Sequence, residues 1–345
     1  MNGIENISDF LRRSSGFLMI DVRSESEFAQ GHIPGAVNIP LLNDGQRKEV
    51  GTIYKQKGKE SAVELGFKLA GPLFHELIKT VRKQSEKKEI FVYCWRGGMR
   101  SSTMAWILGT AGFKADVLKG GYKTFRRWAL DQFFVPKRVI ILSGKTGTGK
   151  TEILGLLEKK GEQVINLEGL ANHKGSAFGA LGLPPQPTNE QFENELALRW
   201  EKLDENKFTW IENESRQVGS NIIPSPVFDL IRNSPAVELV LESSIRSERI
   251  LEEYGSFPKE ILAETTNKLK KRLGIKETTA AIAHLEEGRM NQWVEILLRY
   301  YDKTYSYGMS LRPSSSVVKI ESNSPNASEN TSMLLKFMQE QKVFL

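Results

Sequence analysis

The chain has 345 residues, of which 39% are hydrophobic and 26% charged, as is usual for a globular protein large enough for two domains. It has no apolar run of about 18 residues that could span a membrane, and its first residues lack a signal-peptide pattern. Its single cysteine excludes an internal disulfide framework and suits a reducing compartment, so we expect a cytoplasmic protein. The formal net charge of +6 permits a polyanionic partner such as RNA without establishing one.

The first part of the chain alternates short apolar stretches with segments of helical periodicity. Strands are predicted within residues 17–23, 32–40, 90–93 and 115–118, and helices within residues 25–30, 61–82 and 102–108. This alternation predicts a mostly parallel sheet with helices on both faces. We assign residues 1–130 to this domain and residues 131–138 to a linker.

The single cysteine, Cys94, follows a predicted strand and begins a loop with two glycines that runs into a helix. Inward backbone N–H groups, the helix N-terminus and the nearby Arg96 and Arg100 would stabilise a thiolate and hold a tetrahedral anion. Most lone cysteines are instead buried structural residues. The glycines and arginines favour a reactive thiolate here, and we predict Cys94, Arg96 and Arg100 as catalytic residues.

A glycine-rich segment of the form G-x-x-x-x-G-K-S/T lies between an apolar strand at residues 139–142 and a helix that follows it. Its backbone N–H groups would surround phosphate oxygens, Lys150 would reach the terminal phosphates, and Thr151 would hold Mg²⁺ if a metal is used. The predicted phosphate-binding residues are Gly144, Lys145, Thr146, Gly147, Thr148, Gly149, Lys150 and Thr151.

Polar side chains follow further predicted strands at residues 163–167, 208–212 and 237–242. Ligands of α/β proteins bind at the carboxyl ends of such strands. The candidate residues for contact with a substrate or with RNA are Asn172, His173, Lys174, Ser176, Glu212, Glu214, Arg216, Arg246, Arg249 and Tyr301.

Some of these residues have more than one possible role. Glu212 and Glu214 could orient Mg²⁺ or water, and Arg216 could pair with a phosphate or with a neighbouring glutamate. His173 has no second His or Cys at ligand spacing, so we predict no metal site from the protein's own side chains.

The segment from residue 259 to 307 is largely helical and basic, with Lys268, Lys270, Lys271 and Arg272 close together. Basic residues with nearby tyrosines suit single-stranded RNA, and they equally suit a charged helix face above core tyrosines. We assign residues 139–310 to the second domain. Residues 311–345 are predicted to be a loosely ordered tail with a terminal helix at 333–341.

The first domain resembles a rhodanese domain. The resemblance rests on Asp21-Val22-Arg23, residues 31–36 (GHIPGA), the cysteine loop and Gly120-Gly121-Tyr122. The loop is of the C-x5-R kind, one residue longer than in typical sulfurtransferases and similar to rhodanese-like phosphatases, whose cysteine accepts phosphate. We expect Asp21, Arg23 and His32 to fix the architecture of the loop and not to act in catalysis.

The order of the two domains resembles the tRNA 2-selenouridine synthase family. The matching segments are CWRGGMRS at 94–101, GKTGTGKT at 144–151, ANHKGSAFG at 171–179, ESR at 214–216 and YYD at 300–302. The resemblance implies an α/β fold, with a rhodanese-like parallel-sheet domain followed by a P-loop NTPase-like α/β domain that has a helical C-terminal region.

The resemblance also implies a function. The family acts on wobble 2-thiouridine in tRNAs for lysine, glutamate and glutamine, S-geranylates it from geranyl diphosphate, and then introduces selenium from selenophosphate. Cys94 would form a perselenide, and the phosphate loop would hold the diphosphate. We therefore expect no tightly bound cofactor, possible use of Mg²⁺, tRNA and a selenophosphate-supplying enzyme as partners, and no membrane association.

Two alternatives remain at the level of sequence. One is a nucleotide-dependent P-loop kinase fused to a rhodanese-like sulfurtransferase or phosphatase. The other is a non-catalytic RNA-binding module with an incidental cysteine. The kinase leaves the basic helical segment without a role, and the binding module leaves the arginines and glycines of the cysteine loop without one.

Overall fold

The computed structural model describes residues 3–313 and 316–340. The chain forms two compact units. The first comprises Met1–Gln132 with Glu190–Leu198, and the second Phe133–Asn189 with Arg199–Leu345. In the described ranges, no helix has the length and apolar character needed to cross a membrane.

The first unit contains a parallel sheet flanked by helices. Its strands are β1 (Gly3–Ile4), β2 (Leu18–Asp21), β3 (Val37–Asn38), β4 (Glu89–Tyr93) and β5 (Lys114–Leu118). Its helices are α1 (Ile7–Ser14), α2 (Glu25–Gln30), α3 (Asp44–Lys57), α4 (Lys59–Ala70), α5 (Phe74–Gln84), α6 (Met99–Thr110) and α7 (Gly121–Gln132). The strand order is β1-β5-β4-β2-β3, and every pairing is parallel.

Strand β4 lies in the middle of this sheet and is buried from Ile90 to Tyr93. A continuous apolar strand of this kind is expected where helices cover both faces of a parallel sheet. The single helix predicted over residues 61–82 is two helices, because a short 3₁₀ turn at Gly71–Leu73 separates α4 from α5. Pro72 lies in this turn, and its missing N–H cannot continue the hydrogen bonding of α4.

The second unit is built on a second parallel sheet. Its strands are β6 (Arg138–Ser143), β7 (Gln163–Ile165), β8 (Phe208–Glu212), β11 (Ala236–Leu241) and β12 (Val317–Ser322), and a separate antiparallel pair is formed by β9 (Gln217–Val218) and β10 (Asn221–Ile222). Its helices are α8 (Lys150–Lys159), α9 (Leu167–Ala171), α11 (Ser225–Asn233), α12 (Ser243–Tyr254), α13 (Lys259–Lys268), α14 (Lys270–Leu273), α15 (Ile275–Glu286), α16 (Met290–Ser310) and α17 (Ala327–Glu340). The remaining helix, α10 (Asn189–Glu201), contributes Glu190–Leu198 to the first unit.

The order of this sheet, β12-β11-β6-β8-β7, places β6 at its centre. The glycine-rich loop leaves the carboxyl end of β6 after Ser143, and β8 ends next to it at Glu212. Because all these strands are parallel, the polar residues that follow them collect at one edge of the sheet.

The prediction of a loosely ordered tail is wrong for the described residues after 310. Strand β12 pairs with β11 in parallel over its whole length, from Ala236↔Val317 to Leu241↔Ser322. Helix α17 begins at Ala327, earlier than expected, and packs against the sheet through the buried Leu334. The Ser- and Asn-rich composition did not indicate a strand here, because β12 is formed by pairing with β11, which is distant in sequence. Residue 341, the predicted helix end, lies outside the described residues.

Candidate functional site

Cys94 lies directly after β4 and is 3% exposed. Its Sγ is 3.2 Å from Ser101 Oγ, and the Ser101 hydroxyl also lies 3.0 Å from the Gly98 carbonyl oxygen. Ser101 belongs to the first turn of α6, where backbone N–H groups have no intrahelical acceptor. The hydroxyl can accept a hydrogen bond from the thiol or donate one to a thiolate. This arrangement suits a nucleophile at the base of an anion-binding loop.

The start of α7 closes the cysteine loop from the other side. The N–H groups of Tyr122 and Lys123 donate to the carbonyl oxygens of Cys94 and Trp95, at 2.8 and 3.0 Å. Gly121 has a φ of +59°, and a Cβ there would lie 2.2 Å from the Cys94 carbonyl oxygen. Only glycine permits this close approach of two backbones. The loop is therefore held by main-chain contacts.

The two predicted arginines of this loop differ in their surroundings. Arg100 donates from Nη1 to Glu27 Oε2 at 2.7 Å, and Arg47 Nε lies 3.1 Å from the same oxygen. Burial opposes ionisation of Glu27, but the hydrogen bond and charge of Arg100, together with Arg47, lower its pKa to about 2. Arg96 is exposed and makes no ion pair with any described residue. Arg96 is thus the arginine that is free to meet an incoming anion.

Asp21 and Arg23 form a buried pair beneath the loop, as expected for architectural residues. Arg23 Nη2 donates to Asp21 Oδ2 and to the Gly31 carbonyl oxygen, each at 2.6 Å, and its guanidinium lies 4.0 Å from the centre of the Tyr122 ring. Both residues are almost fully buried. They fix the turn at Gly31 against the start of α7.

Helix α10 supports the same region, which the sequence did not predict. Asn194 Nδ2 donates to the His32 carbonyl oxygen at 3.0 Å and to the Tyr122 hydroxyl at 2.8 Å. The Tyr122 hydroxyl in turn donates to Glu190 Oε1 at 2.6 Å. His32 itself stacks on Phe28 with ring centres 3.7 Å apart. The cysteine loop therefore depends on a helix that lies about 100 residues later in the sequence.

The phosphate loop of the second unit has the expected local structure, with helix α8 beginning at Lys150. Lys150 Nζ donates to the Gly144 carbonyl oxygen at 2.7 Å, and the Thr151 hydroxyl donates to Glu168 Oε2 at 2.6 Å. Gly147 and Gly149 have φ values of +85° and +76°. These left-handed conformations turn the backbone around the space that a phosphate would enter.

Two further carboxylates, Glu212 and Glu214, lie beside Glu168. Glu212 Oε1 accepts the backbone N–H of Glu168 at 2.7 Å, whereas Glu212 Oε2 is buried without a partner in the described residues. Burial, and then the charge of Glu168, raise the pKa of Glu212 to about 8. The same two causes raise the pKa of Glu214 well above its usual value. Among the described residues, no three side chains of the metal-ligating types are arranged to hold a metal ion by themselves.

Glu168 is a site residue that sequence reasoning missed. It follows the short strand β7 and belongs to α9, so its position after a strand end was the available signal. A Cβ on Gly175 would lie 2.7 Å from Glu214 Oε2 and 3.1 Å from Glu168 Oε1. The glycine therefore allows the turn at residues 172–179 to lie directly on these carboxylates.

Helices α12 and α16 border the phosphate loop from its other side. Arg246 donates to both carboxylate oxygens of Asp302 at 2.8 Å and to the Thr146 carbonyl oxygen at 3.2 Å. Lys145 Nζ lies 3.4 Å from the same carboxylate. Arg249 bonds to Glu152 at 2.6 Å. Asp302, the partner of Arg246 in α12 and of Lys145 in the loop, was not among the predicted site residues.

The turn at residues 172–179 contains four predicted residues in distinct environments. Asn172 Nδ2 donates to the Pro185 carbonyl oxygen at 3.1 Å, and Lys174 forms an ion pair with Glu253. Ser176 Oγ accepts the Phe178 N–H at 3.2 Å. The Nδ1 atom of His173 is buried without a partner in the described residues, and burial lowers the pKa of this histidine.

The remaining two predicted residues, Tyr301 and Arg216, lie in different surroundings. The Tyr301 hydroxyl accepts the Ala177 N–H at 3.3 Å, which joins α16 to the turn at 172–179. Arg216 donates to Ser225 Oγ at 2.6 Å and lies over the Phe228 ring, and it forms no ion pair with a glutamate of the described residues. The structure thus brings Tyr301 to the edge of the phosphate site and directs Arg216 to the α11 side.

Comparisons with known proteins agree with this architecture. Residues 9–128 match the rhodanese-like domain family, and residues 137–332 match the family described as the tRNA 2-selenouridine synthase AAA domain. The tRNA 2-selenouridine synthase of Shewanella denitrificans is 34% identical, over 85% of this chain and 88% of that protein. Those of Pseudomonas fluorescens and Hydrogenovibrio crunogenus are 36% and 37% identical, over 84% of this chain and 87% and 89% of theirs. These matches and the two parallel sheets confirm the predicted fold class.

Proposed function

This chain belongs to the tRNA 2-selenouridine synthase family, and from that membership we propose that it replaces sulfur with selenium in wobble 2-thiouridine of tRNAs for lysine, glutamate and glutamine. It is an enzyme of tRNA modification. One observation supports the detailed proposal. Each unit has a glycine-containing loop that leads from an inner parallel strand into a helix, and the single cysteine of the chain lies in the first of these loops. Two anionic substrates, geranyl diphosphate and selenophosphate, suit two such loops.

In the first step, the thiouridine sulfur attacks C1 of geranyl diphosphate. The C1–O bond breaks, diphosphate leaves with the bonding electrons, and the base releases one proton. The loop at residues 144–151 holds the diphosphate, and Lys150 exchanges its bond to the Gly144 carbonyl oxygen for one to a phosphate oxygen. Thr151 and Glu168 would hold Mg²⁺ together with diphosphate oxygens, where the ion would neutralise charge on the leaving group.

In the second step, the selenium of selenophosphate attacks C2 of the geranylated base. The C2–S bond breaks, geranylthiol leaves, and the selenium carries its phosphoryl group onto the base. The Cys94 thiolate then attacks phosphorus, the P–Se bond breaks toward selenium, and water hydrolyses the phosphocysteine. A perselenide formed directly on Cys94 would require phosphorus to leave as phosphite. We therefore place Cys94 on phosphorus, with Arg96 and the loop N–H groups around the phosphoryl oxygens.

Nucleoside mass spectrometry tests this sequence of steps. The protein is incubated with 2-thiouridine tRNA and geranyl diphosphate, with and without selenophosphate. We expect geranylated nucleoside without selenophosphate and 2-selenouridine with it. Cys94→Ala should still geranylate and should accumulate a selenium-bonded phosphorylated nucleoside. Lys150→Ala should lose geranylation and should still convert tRNA that has already been geranylated.

Other outcomes have definite meanings. Normal geranylation by Lys150→Ala would show that the phosphate loop has no role in the first step. Accumulation of the geranylated nucleoside by Cys94→Ala would show that the thiol acts before geranylthiol is displaced from C2 of the base. Unmodified tRNA in every reaction, together with nucleotide turnover in the absence of tRNA, would support the kinase alternative.

A further inference from the structure

A row of basic side chains crosses the surface of α13, α14 and α15, and neither proposed chemical step uses it. We call this row the basic ridge, and it consists of Lys268, Lys270, Lys271, Arg272 and Lys276. All five side chains are exposed. Over the described ranges, their only ion pair joins Lys268 to Glu264 at 3.0 Å. The other four cations are available to an external polyanion.

A buried and a half-buried leucine fix the position of the basic ridge within the second unit. Leu269 is 5% exposed, and Leu273 lies four residues later on the same side of the chain. Leu269 belongs to the helical core that also contains Phe178, and Leu273 and Tyr301 pack against this core. This packing turns the residues between the two leucines outward, so three consecutive cations project from one short helix.

The same core brings the basic ridge to the rim of the phosphate-loop site. Phe178 belongs to the turn at residues 172–179, which lies on the site carboxylates. The charge of Arg272 acts on the Tyr301 hydroxyl, and that hydroxyl accepts the Ala177 N–H at 3.3 Å. Asp302, next in sequence to Tyr301, pairs with Arg246 of the site. A polyanion on the basic ridge would therefore lie beside the place where the diphosphate is held.

We propose that the basic ridge binds the sugar–phosphate backbone of the tRNA and holds its anticodon arm at the phosphate-loop site. Exposed lysines and arginines bind successive phosphates and release their counterions, which gives affinity without base specificity. Ile275 is 70% exposed beside Lys276 and adds an apolar contact for an unstacked base. The inference rests on the proposed function only because it takes tRNA as the substrate.

Matched charge reversals test the proposal. Lys270→Glu/Lys271→Glu changes the basic ridge, and Lys159→Glu/Lys160→Glu changes an exposed lysine pair at the opposite end of α8 from the phosphate loop. Both double variants alter the net charge equally. Affinity for 2-thiouridine tRNA is measured by fluorescence anisotropy between about 50 and 200 mM salt. Binding of inorganic diphosphate, measured by calorimetry, reports an intact phosphate loop in each variant.

The ridge variant should bind tRNA at least about tenfold more weakly at low salt, and the slope of log K against log salt should fall by about two, one for each lost phosphate contact. The control pair should keep the wild-type affinity and slope, and both variants should bind diphosphate normally. Equal losses in the two pairs would assign the effect to global charge and overturn the proposal, as would wild-type binding by the ridge variant. Failure of the wild type to modify bound tRNA would instead contradict the proposed chemistry.

Discussion

Replacing Glu27 with glutamine should destabilise the first unit and loosen the cysteine loop. The Glu27 carboxylate accepts from Arg100 at the start of α6, and Arg47 of α3 lies 3.1 Å from it. It also closes the capping box of α2 with Ser24. Glutamine can keep the capping box, since its side-chain oxygen still accepts the Ser24 N–H. The substitution therefore removes mainly the charge that joins three helices.

The size of the effect follows from the pKa of this carboxyl. Burial opposes its ionisation, but Arg100 and Arg47 lower its pKa from 4.5 to about 2. Since one pKa unit corresponds to about 1.4 kcal/mol, the ionised carboxylate stabilises the folded unit by roughly 3 kcal/mol. The Glu27 and Arg100 side chains are 14% and 22% exposed, so solvent screens this interaction only partly. Because the folded pKa is depressed, the stabilisation is complete above about pH 4.5 and disappears as the pH falls through about 2.

Hydrogen exchange of the β4 amides provides the assay, because these residues are buried in the first unit and report its unfolding separately from that of the second. Glu27→Gln should reduce their protection at pH 7 by an amount corresponding to roughly 2 to 3 kcal/mol. The difference from the wild type should narrow as the pH is lowered. Glu86→Gln, an exposed change in the same unit, serves as the control. Unchanged protection in Glu27→Gln, or a loss that is independent of pH, would refute the reasoning.

Two further substitutions test the two sites. Burial and the charge of Glu168 raise the pKa of Glu212 to about 8, so the stability that this group contributes is present below about pH 4.5 and is lost as the pH rises through 8. Exchange protection of β8 should decline over this range more in the wild type than in Glu212→Gln, in which Glu214 still titrates with a raised pKa; an equal decline in both would contradict the assignment. In Gly121→Ala the new Cβ would meet the Cys94 carbonyl oxygen at 2.2 Å, so the free energy of unfolding of the first unit should fall by more than about 3 kcal/mol. In the control Gly112→Ala, at φ +88° in open space, it should fall by about 1 to 2 kcal/mol. Equal losses of β4 protection in these two variants would show that the contact with the Cys94 carbonyl oxygen is not the reason why position 121 requires glycine.

The parts of the fold that were predictable from sequence are those specified by local patterns. The strand expected at 139–142 is β6, and the glycine-rich loop after it leads into α8 at Lys150. The strand expected at 90–93 is β4, with Cys94 directly after it. In both places, apolar run, glycines and helix are adjacent in the chain, so no knowledge of distant contacts was needed.

The partners of these loops were not predictable, because they are distant in sequence. Thr151 donates to Glu168 in the turn after β7, and Lys145 lies near Asp302 of α16. The cysteine loop rests on residues of α10, which lie within the segment that the sequence assigned to the second domain. A single sequence gives the periodicity of such a helix and not the surface on which it packs.

Helix α16 shows why composition alone left the role of its tyrosines open. Val294 and Leu297 are buried in the helical core, and Tyr301 and Tyr305 continue the same stripe at intervals of four residues. At Tyr301 the stripe reaches the turn at 172–179, and at Tyr305 it reaches the end of β6, where the hydroxyl lies 2.6 Å from Ser143 Oγ. Burial raises the pKa of Tyr301 to about 12, in keeping with a hydroxyl used for packing and hydrogen bonding. The tyrosines thus connect the helical core to the phosphate loop, and the exposed cations of the basic ridge remain as the surface that we propose for RNA.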